Sequence, residues 1–183
     1  MSCTASVEGR ERLRLFCALR LPDEVLDTLA EWGKGHLAER IVPRGNLHAT
    51  LAFLGHRPAE DVDAVLAATR DAAAAAGPIR LEPLRYRETR SVGMLVLADD
   101  GAAAARLAED LVGRLKAQGV YEREQRAWLP HLTVVRFRSR PRLDPPLPEL
   151  APFSPSDAAV YLSRLRSSGA QYEVVQSFVL GGG

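Results

Sequence analysis

Apolar and polar positions change period along the chain, and those changes mark its elements. Leu13-Arg14-Leu15-Phe16-Cys17-Ala18-Leu19 is a short apolar run followed by Pro22, which predicts a buried strand. Asp23 and Glu24 then supply an acidic first turn, and Val25, Leu26, Leu29 and Trp32 recur at helical spacing, predicting a helix over 23–39. A turn at Pro43-Arg44-Gly45-Asn46 leads into Leu47 to Leu54, a strand that Gly55 is expected to stop. Val62, Val65 and Leu66 predict a second helix over about 58–76, ending in alanines before Gly77-Pro78. Strands are expected at Ile79–Tyr86 and Val92–Leu97, and Leu107, Leu111 and Leu115 predict a third helix over about 101–118. Trp128 to Phe137 reads as a strand. The six prolines between Pro141 and Pro155 predict an extended surface loop, with closing strands near 158–165 and 172–180. Residues 1–12 are polar and irregular, an expected flexible N-terminus ahead of a single domain over 13–183.

Short repeats are absent, but a long one is visible. Each half offers helix-bearing segments and one strand carrying His-x-Thr followed by an aliphatic residue, with His48 and His131 83 positions apart. Strands mixed with helices in this way predict an α+β protein of two similar lobes. Neither G-x-G-x-x-G nor G-x-x-x-x-G-K-[ST] occurs, which argues against nucleotide sites of those kinds.

Composition narrows the picture. A 46% hydrophobic and 26% charged chain is ordinary for a globular domain, and a formal charge of +1 excludes the basic footprint of a duplex-DNA binder. The cations are 22 Arg against 2 Lys, and because alanine is inflated too, genomic composition explains that bias better than phosphate binding does. Cys3 and Cys17 cannot frame a disulfide scaffold. No apolar stretch approaches the ~20 residues of a membrane span, and no leader opens the chain, so a soluble cytoplasmic protein is expected.

Candidate chemistry sits in the two His-x-Thr strands. Side chains alternate across a strand, so Leu47, Ala49, Leu51 and Phe53 share one face while His48 and Thr50 share the other. In the second strand Trp128, Pro130, Leu132 and Val134 oppose His131 and Thr133. Imidazole titrates near neutrality, so one copy can take a proton while the other gives one, and a threonine hydroxyl can donate to a phosphoryl oxygen. Two of each around one phosphate would hold the anion and move both protons of a hydrolysis. A zinc site built on His48, His131 and a carboxylate is the main rival. It lacks a His-Glu-x-x-His or paired-cysteine pattern, and no acidic residue stands beside either histidine, so no metal or cofactor is expected. His36 and His56 lack the strand setting and read as surface residues.

Paired His-x-Thr motifs, with Arg14-Leu15-Phe16-Cys17-Ala18-Leu19 early, Asn46-Leu47-His48-Ala49-Thr50-Leu51-Ala52-Phe53-Leu54-Gly55 next, Pro130-His131-Leu132-Thr133-Val134-Val135-Arg136 later and Arg164-Leu165-Arg166…Gly169-Ala170-Gln171-Tyr172 at the end, resemble the 2H phosphoesterase superfamily. Within it the chain is most similar to the RNA 2′,3′-cyclic phosphodiesterases, once called 2′-5′ RNA ligases. The resemblance implies a bilobal α+β fold, with antiparallel sheets lining a central cleft and helices outside. It also implies metal-independent hydrolysis of an RNA or nucleotide 2′,3′-cyclic phosphate to a 2′-phosphomonoester. Carried over, His48 and His131 become the catalytic pair, Thr50 and Thr133 phosphate ligands, and Arg136 a phosphate or substrate contact. His131 is expected to act as base and His48 as acid, in a monomer without membrane contact. The chain departs from the family pattern at Cys17, where a second aromatic is frequent, and at Arg44, where a proline is frequent. Phe16 reads as a core residue ahead of the alternative of a substrate-stacking one, and the run of Arg138, Arg140 and Arg142 either tracks an RNA backbone or is a solvated face. Rival functions are hydrolysis of a small cyclic nucleotide derivative and a non-catalytic nucleotide-binding module. Reverse 2′-5′ ligation is a further reaction that the same site would allow in vitro.

Overall fold

The computed structural model describes residues 11–37, 40–122, 127–167 and 169–181. In chain order it contains β1 (Arg12–Arg20), α1 (Asp23–His36), β2 (Arg40–Ile41), β3 (Ala49–Pro58), α2 (Val62–Ala75), β4 (Leu81–Glu88), β5 (Val92–Asp99), α3 (Ala103–Ala117), β6 (His131–Arg136), β7 (Asp157–Arg166) and β8 (Gly169–Val179). Two four-stranded antiparallel sheets result, one ordered β3-β1-β7-β8 and the other β2-β6-β5-β4. This is the expected α+β architecture. The expected flexible N-terminus falls outside the described residues for positions 1–10, as do positions 38–39 of the expected first helix, while Arg12 already belongs to β1. No helix among the described residues is long and apolar enough to cross a membrane.

The long repeat has a structural counterpart. In each half a strand leads through a helix to an antiparallel partner at whose start the His-x-Thr motif stands: β1, α1 and β3 in one half, with His48 just ahead of β3, and β5, α3 and β6 in the other, with His131 as the first residue of β6. Asp23 and Glu24 in the first turn of α1, with Lys34 and His36 in its last, complement the helix dipole. At the start of α3 the Asp99 carboxylate accepts from the backbone N–H groups of Ala104 (3.0 Å) and Ala105 (2.8 Å), occupying donors that a helix start leaves free. One apolar core joins both sheets, taking Leu15, Cys17 and Leu19 from β1, Leu132 and Val134 from β6, and Leu107, Leu111 and Leu115 from α3.

Two expectations about the motif strands need correction. Gly55 does not stop β3, which runs on to Pro58. Leu15 pairs with Gly55 and Phe16 with Phe53, so the register slips by one residue there, and the positive φ of 70° at Gly55 lets a glycine absorb the bend. A second slip at Leu51 lies between the pairs Cys17–Ala52 and Ala18–Thr50. Beyond it the buried set switches from Ala49 and Leu51 to Ala52 and Leu54, and Phe53, expected on the apolar face, is 45% exposed. In β6 the same slip occurs at Val134, between the pairs Gly93–Val135 and Met94–Thr133. Both Val134 and Val135 are therefore buried. In each motif the bulge comes three residues after the histidine, and it turns the side chain five residues after the histidine, Phe53 or Arg136, towards the open cleft.

The loop after β6 lies extended, as its prolines predict, and is tied down at several points. Trp32 Nε1 donates to the Pro146 carbonyl (2.8 Å), and Phe153 pairs with Leu81. Glu88, at the end of β4, accepts from the backbone N–H groups of Arg142 (3.0 Å) and Leu143 (2.8 Å), from Arg140 Nε (3.1 Å) and from the Tyr86 hydroxyl (3.1 Å).

Candidate active site

A cleft of about 640 Å³ is lined by Phe16, His48, Thr50, Phe53, Thr133 and Arg136, with Arg14, Arg40, Asn46, Ser163, Arg166 and Tyr172 among its further walls. Four of the five residues singled out in the sequence thus meet in one cavity. His131 is not among the lining residues. It stands two residues ahead of Thr133 at the start of β6, and its charge acts on His48. His36 and His56 are exposed, as expected, and lie outside the cleft.

Both motif histidines are held by the same local device. His48 Nδ1 lies 2.7 Å from the carbonyl oxygen of Asn46, and His131 Nδ1 lies 2.8 Å from that of Leu129. A carbonyl oxygen only accepts, so each Nδ1 carries the proton and Nε2 remains the atom that can exchange one. The Asn46 side chain is fixed in turn: its Nδ2 donates to the Ala170 carbonyl on β8 at 2.9 Å.

The surroundings of the two rings differ. His48 packs against Phe16 (4.8 Å between centroids), Tyr172 (5.3 Å, edge-on) and Tyr161 (5.9 Å), and Phe16 stacks on Tyr161 at 4.8 Å. Loss of water among these rings lowers the His48 pKa to about 4; its bond to Asn46 acts the other way, and the charges of Arg136 and His131 add to the lowering. The free cleft therefore holds His48 neutral. His131 is half-buried, and its Nδ1 bond lies in a solvent-exposed setting. Phe16 is a core residue, as expected, yet it also forms part of the cleft wall.

Phe53 and Arg14 had no role assigned from the sequence. Strict alternation placed Phe53 in the core, and only the bulge at Leu51 reverses that. The Arg14 guanidinium lies over the Phe53 ring at 4.9 Å and donates to Ser163 Oγ at 3.1 Å. Arg138, Arg140 and Arg142 do not line the cleft, and Arg140 pairs with Glu88. The two departures from the family pattern leave the cleft intact. Cys17 lies in the core against Thr69 Oγ1 (3.4 Å), where burial pushes its thiol up to about 12, and Arg44 pairs with Asp23 and Asp27 on α1. Among the described residues, no group of three or more His, Cys, Asp or Glu side chains is placed to hold a metal ion.

Comparison with known proteins points to one family. The profile of the 2′-5′ RNA ligase superfamily matches residues 21–167. A Thermus thermophilus protein named RNA 2′,3′-cyclic phosphodiesterase is 30% identical over 190 aligned positions, covering 93% of this chain and 91% of the relative. A crystal structure of a Thermus thermophilus protein superposes with a TM-score of 0.77 at 29% identity, covering 93% of this chain and 99% of that one. The fold is also that of Escherichia coli LigT, solved with 3′-AMP, at a TM-score of 0.79, 23% identity and the same coverage. With most of its length matched by the family profile, the chain belongs to the 2′-5′ RNA ligase superfamily.

Proposed function

We propose that this protein is an enzyme that hydrolyses RNA 2′,3′-cyclic phosphates to 2′-phosphomonoesters, with His48 and His131 as its proton-transfer pair. The observation that carries the reading is the matched pair of imidazoles, each fixed by Nδ1 to the carbonyl two residues before it. Thr50, Thr133 and Arg136 line the cleft together with His48. The activity named for the Thermus thermophilus relative supports the same reaction.

In the proposed step, His131 Nε2 takes a proton from water as the water oxygen attacks phosphorus. The bond from phosphorus to the 3′ oxygen breaks, and that oxygen takes the proton from His48 Nε2, leaving the phosphate on the 2′ oxygen. The Thr50 and Thr133 hydroxyls donate to the phosphoryl oxygens and Arg136 balances their charge. His131 is the histidine more open to water. His48, neutral in the free cleft, must gain its proton as the anion binds, because a nearby negative charge raises an imidazole pKa.

The test is turnover of a nucleoside 2′,3′-cyclic phosphate by purified protein in EDTA and without ATP. Hydrolysis is expected, and phosphorus NMR should find only the 2′-phosphate. Binding without turnover would favour the nucleotide-binding module instead, and a 3′-phosphate would reject the assigned leaving oxygen. A substrate with sulfur in place of the 3′ oxygen resolves the order of the histidines, since a thiolate leaves without a proton. His48→Ala should be largely rescued on it and His131→Ala should not.

A further inference from the structure

His131 opens β6 of one sheet and His48 directly precedes β3 of the other, so the spacing of the two rings depends on how the sheets are held together at the site. Three successive residues ahead of His131 hold them together. Pro130 is anchored in the second sheet, because its carbonyl accepts from Leu97 N–H at 2.9 Å. Leu129 offers the carbonyl that holds the His131 ring. Trp128 reaches across to the first sheet, and its indole Nε1 donates to the backbone carbonyl of Thr50 at 2.9 Å. Thr50 lies on β3, the edge strand of its sheet, so a carbonyl facing away from β1 has no ladder partner and stays open to such a donor.

We infer that Trp128 is a positioning residue that sets the spacing between the two His-x-Thr motifs. The inference rests on the proposed phosphate chemistry of the cleft. The indole hydrogen bond ends on a residue between His48 and the bulge at Leu51, so it holds the first motif from the strand segment that carries the second. Both motifs must grip one phosphoryl group, and a misplacement of about 1 Å costs on the order of 100-fold in rate. The sequence grouped Trp128 with the apolar face of its strand, and it does pack on the core. Its N–H, not its bulk, makes the cross-sheet link.

The test separates bulk from N–H. Trp128→Phe keeps an aromatic side chain, and benzothienylalanine at position 128 keeps the indole shape while replacing the N–H by sulfur. Both should melt close to wild type, yet lose on the order of 10- to 100-fold in kcat with little change in KM. A second readout needs no turnover. Inorganic phosphate titrated into wild type should shift the ring signals of His48 and His131 together, with a single Kd. In both variants the two rings should respond separately, with different midpoints. If benzothienylalanine leaves kcat and the joint phosphate response at wild-type values, Trp128 only packs and the inference is overturned, whatever the Phe variant does. If wild type fails to hydrolyse cyclic phosphates, the functional reading falls, while the phosphate titration still decides the role of Trp128.

Discussion

At the scale of single residues, the decisive feature is that two identical side chains occupy unequal settings. His48 is pressed among Phe16, Tyr161 and Tyr172, which holds its pKa at about 4, well below the ordinary value of 6.5. Two consequences follow for pH. Between those values the unfolded chain takes up a proton that folded His48 refuses. This histidine therefore contributes stability that is complete above about 6.5 and is lost as pH falls towards about 4. Phosphate should reverse the preference, because the anion favours the charged ring. An NMR titration should find His48 near 4 in the free protein and clearly higher with inorganic phosphate, so phosphate affinity should rise as pH falls between the bound and free values. An unchanged His48 titration in saturating phosphate would remove the ring from the anion site. Mutational effects should show the two histidines acting as a unit. His48→Ala and His131→Ala should each lose on the order of 10²- to 10⁴-fold in kcat/KM, and the double variant should be little worse than the poorer single one. Thr50→Val and Thr133→Val should lose less, about 10- to 150-fold, the equivalent of a hydroxyl bond to an anion of roughly 1.5–3 kcal/mol. Single-variant losses that multiply in the double variant would mean that the histidines work independently.

Elements reveal what a strict period conceals. Alternation correctly put His48 with Thr50 and His131 with Thr133 opposite an apolar face, because both motifs precede their bulges. It failed for Phe53, past the slip at Leu51, where Ala52 joins the core in its place. A bulge depends on how two strands pair, and neither β3 nor β1 announces it alone. The short β2 was also missed, since Arg40–Ile41 is too brief to show any period. Glu88 is a further case: nothing in the sequence marks this carboxylate, whose side chain is only 2% exposed, as the anchor of the proline-rich loop. Burial would raise its pKa, but the donors from Leu143, Arg140, Tyr86 and Arg142 outweigh that and hold it below the usual carboxylate value. Glu88→Ala would leave those part-buried donors without their acceptor, so denaturant unfolding at neutral pH should show a loss of about 1–3 kcal/mol. The stabilisation from a depressed carboxylate pKa is lost as pH falls through the folded-state value. The gap between wild type and variant should therefore narrow in acid; a gap that widens there would contradict the charged anchor.

On the scale of the whole molecule, the lobes could be read from the sequence because each repeats a simple unit: strand, helix, then an antiparallel strand with His-x-Thr. The central order of the sheets was not legible. β7, remote in sequence, inserts beside β1, and its pairing partners are fixed by burial on both faces rather than by any local signal. Tyr172 and Ser163 in the cleft wall, and Tyr161 against the His48 ring, come from that distant hairpin, which explains why the sequence marked His48, Thr50, Thr133 and Arg136 but few of their neighbours. Charge followed the same division. The chain as a whole is nearly neutral at +1, while Arg14, Arg40, Arg136 and Arg166 all line one cavity that, among the described residues, no Asp or Glu lines. Global composition averages such a local excess away.

The carbonyl that orients each imidazole has a consequence for how this site can change over time. Where a histidine is steered by a carboxylate elsewhere in the chain, one nucleotide change can delete the partner and disable the ring. Here the partners are the main-chain oxygens of Asn46 and Leu129, which every amino acid possesses. No substitution at either position removes the acceptor; only a shift of the backbone can. The tautomers of both rings are thus insulated from drift in the surrounding side chains, and those side chains remain free to diverge while the orientation of the paired imidazoles stays constant.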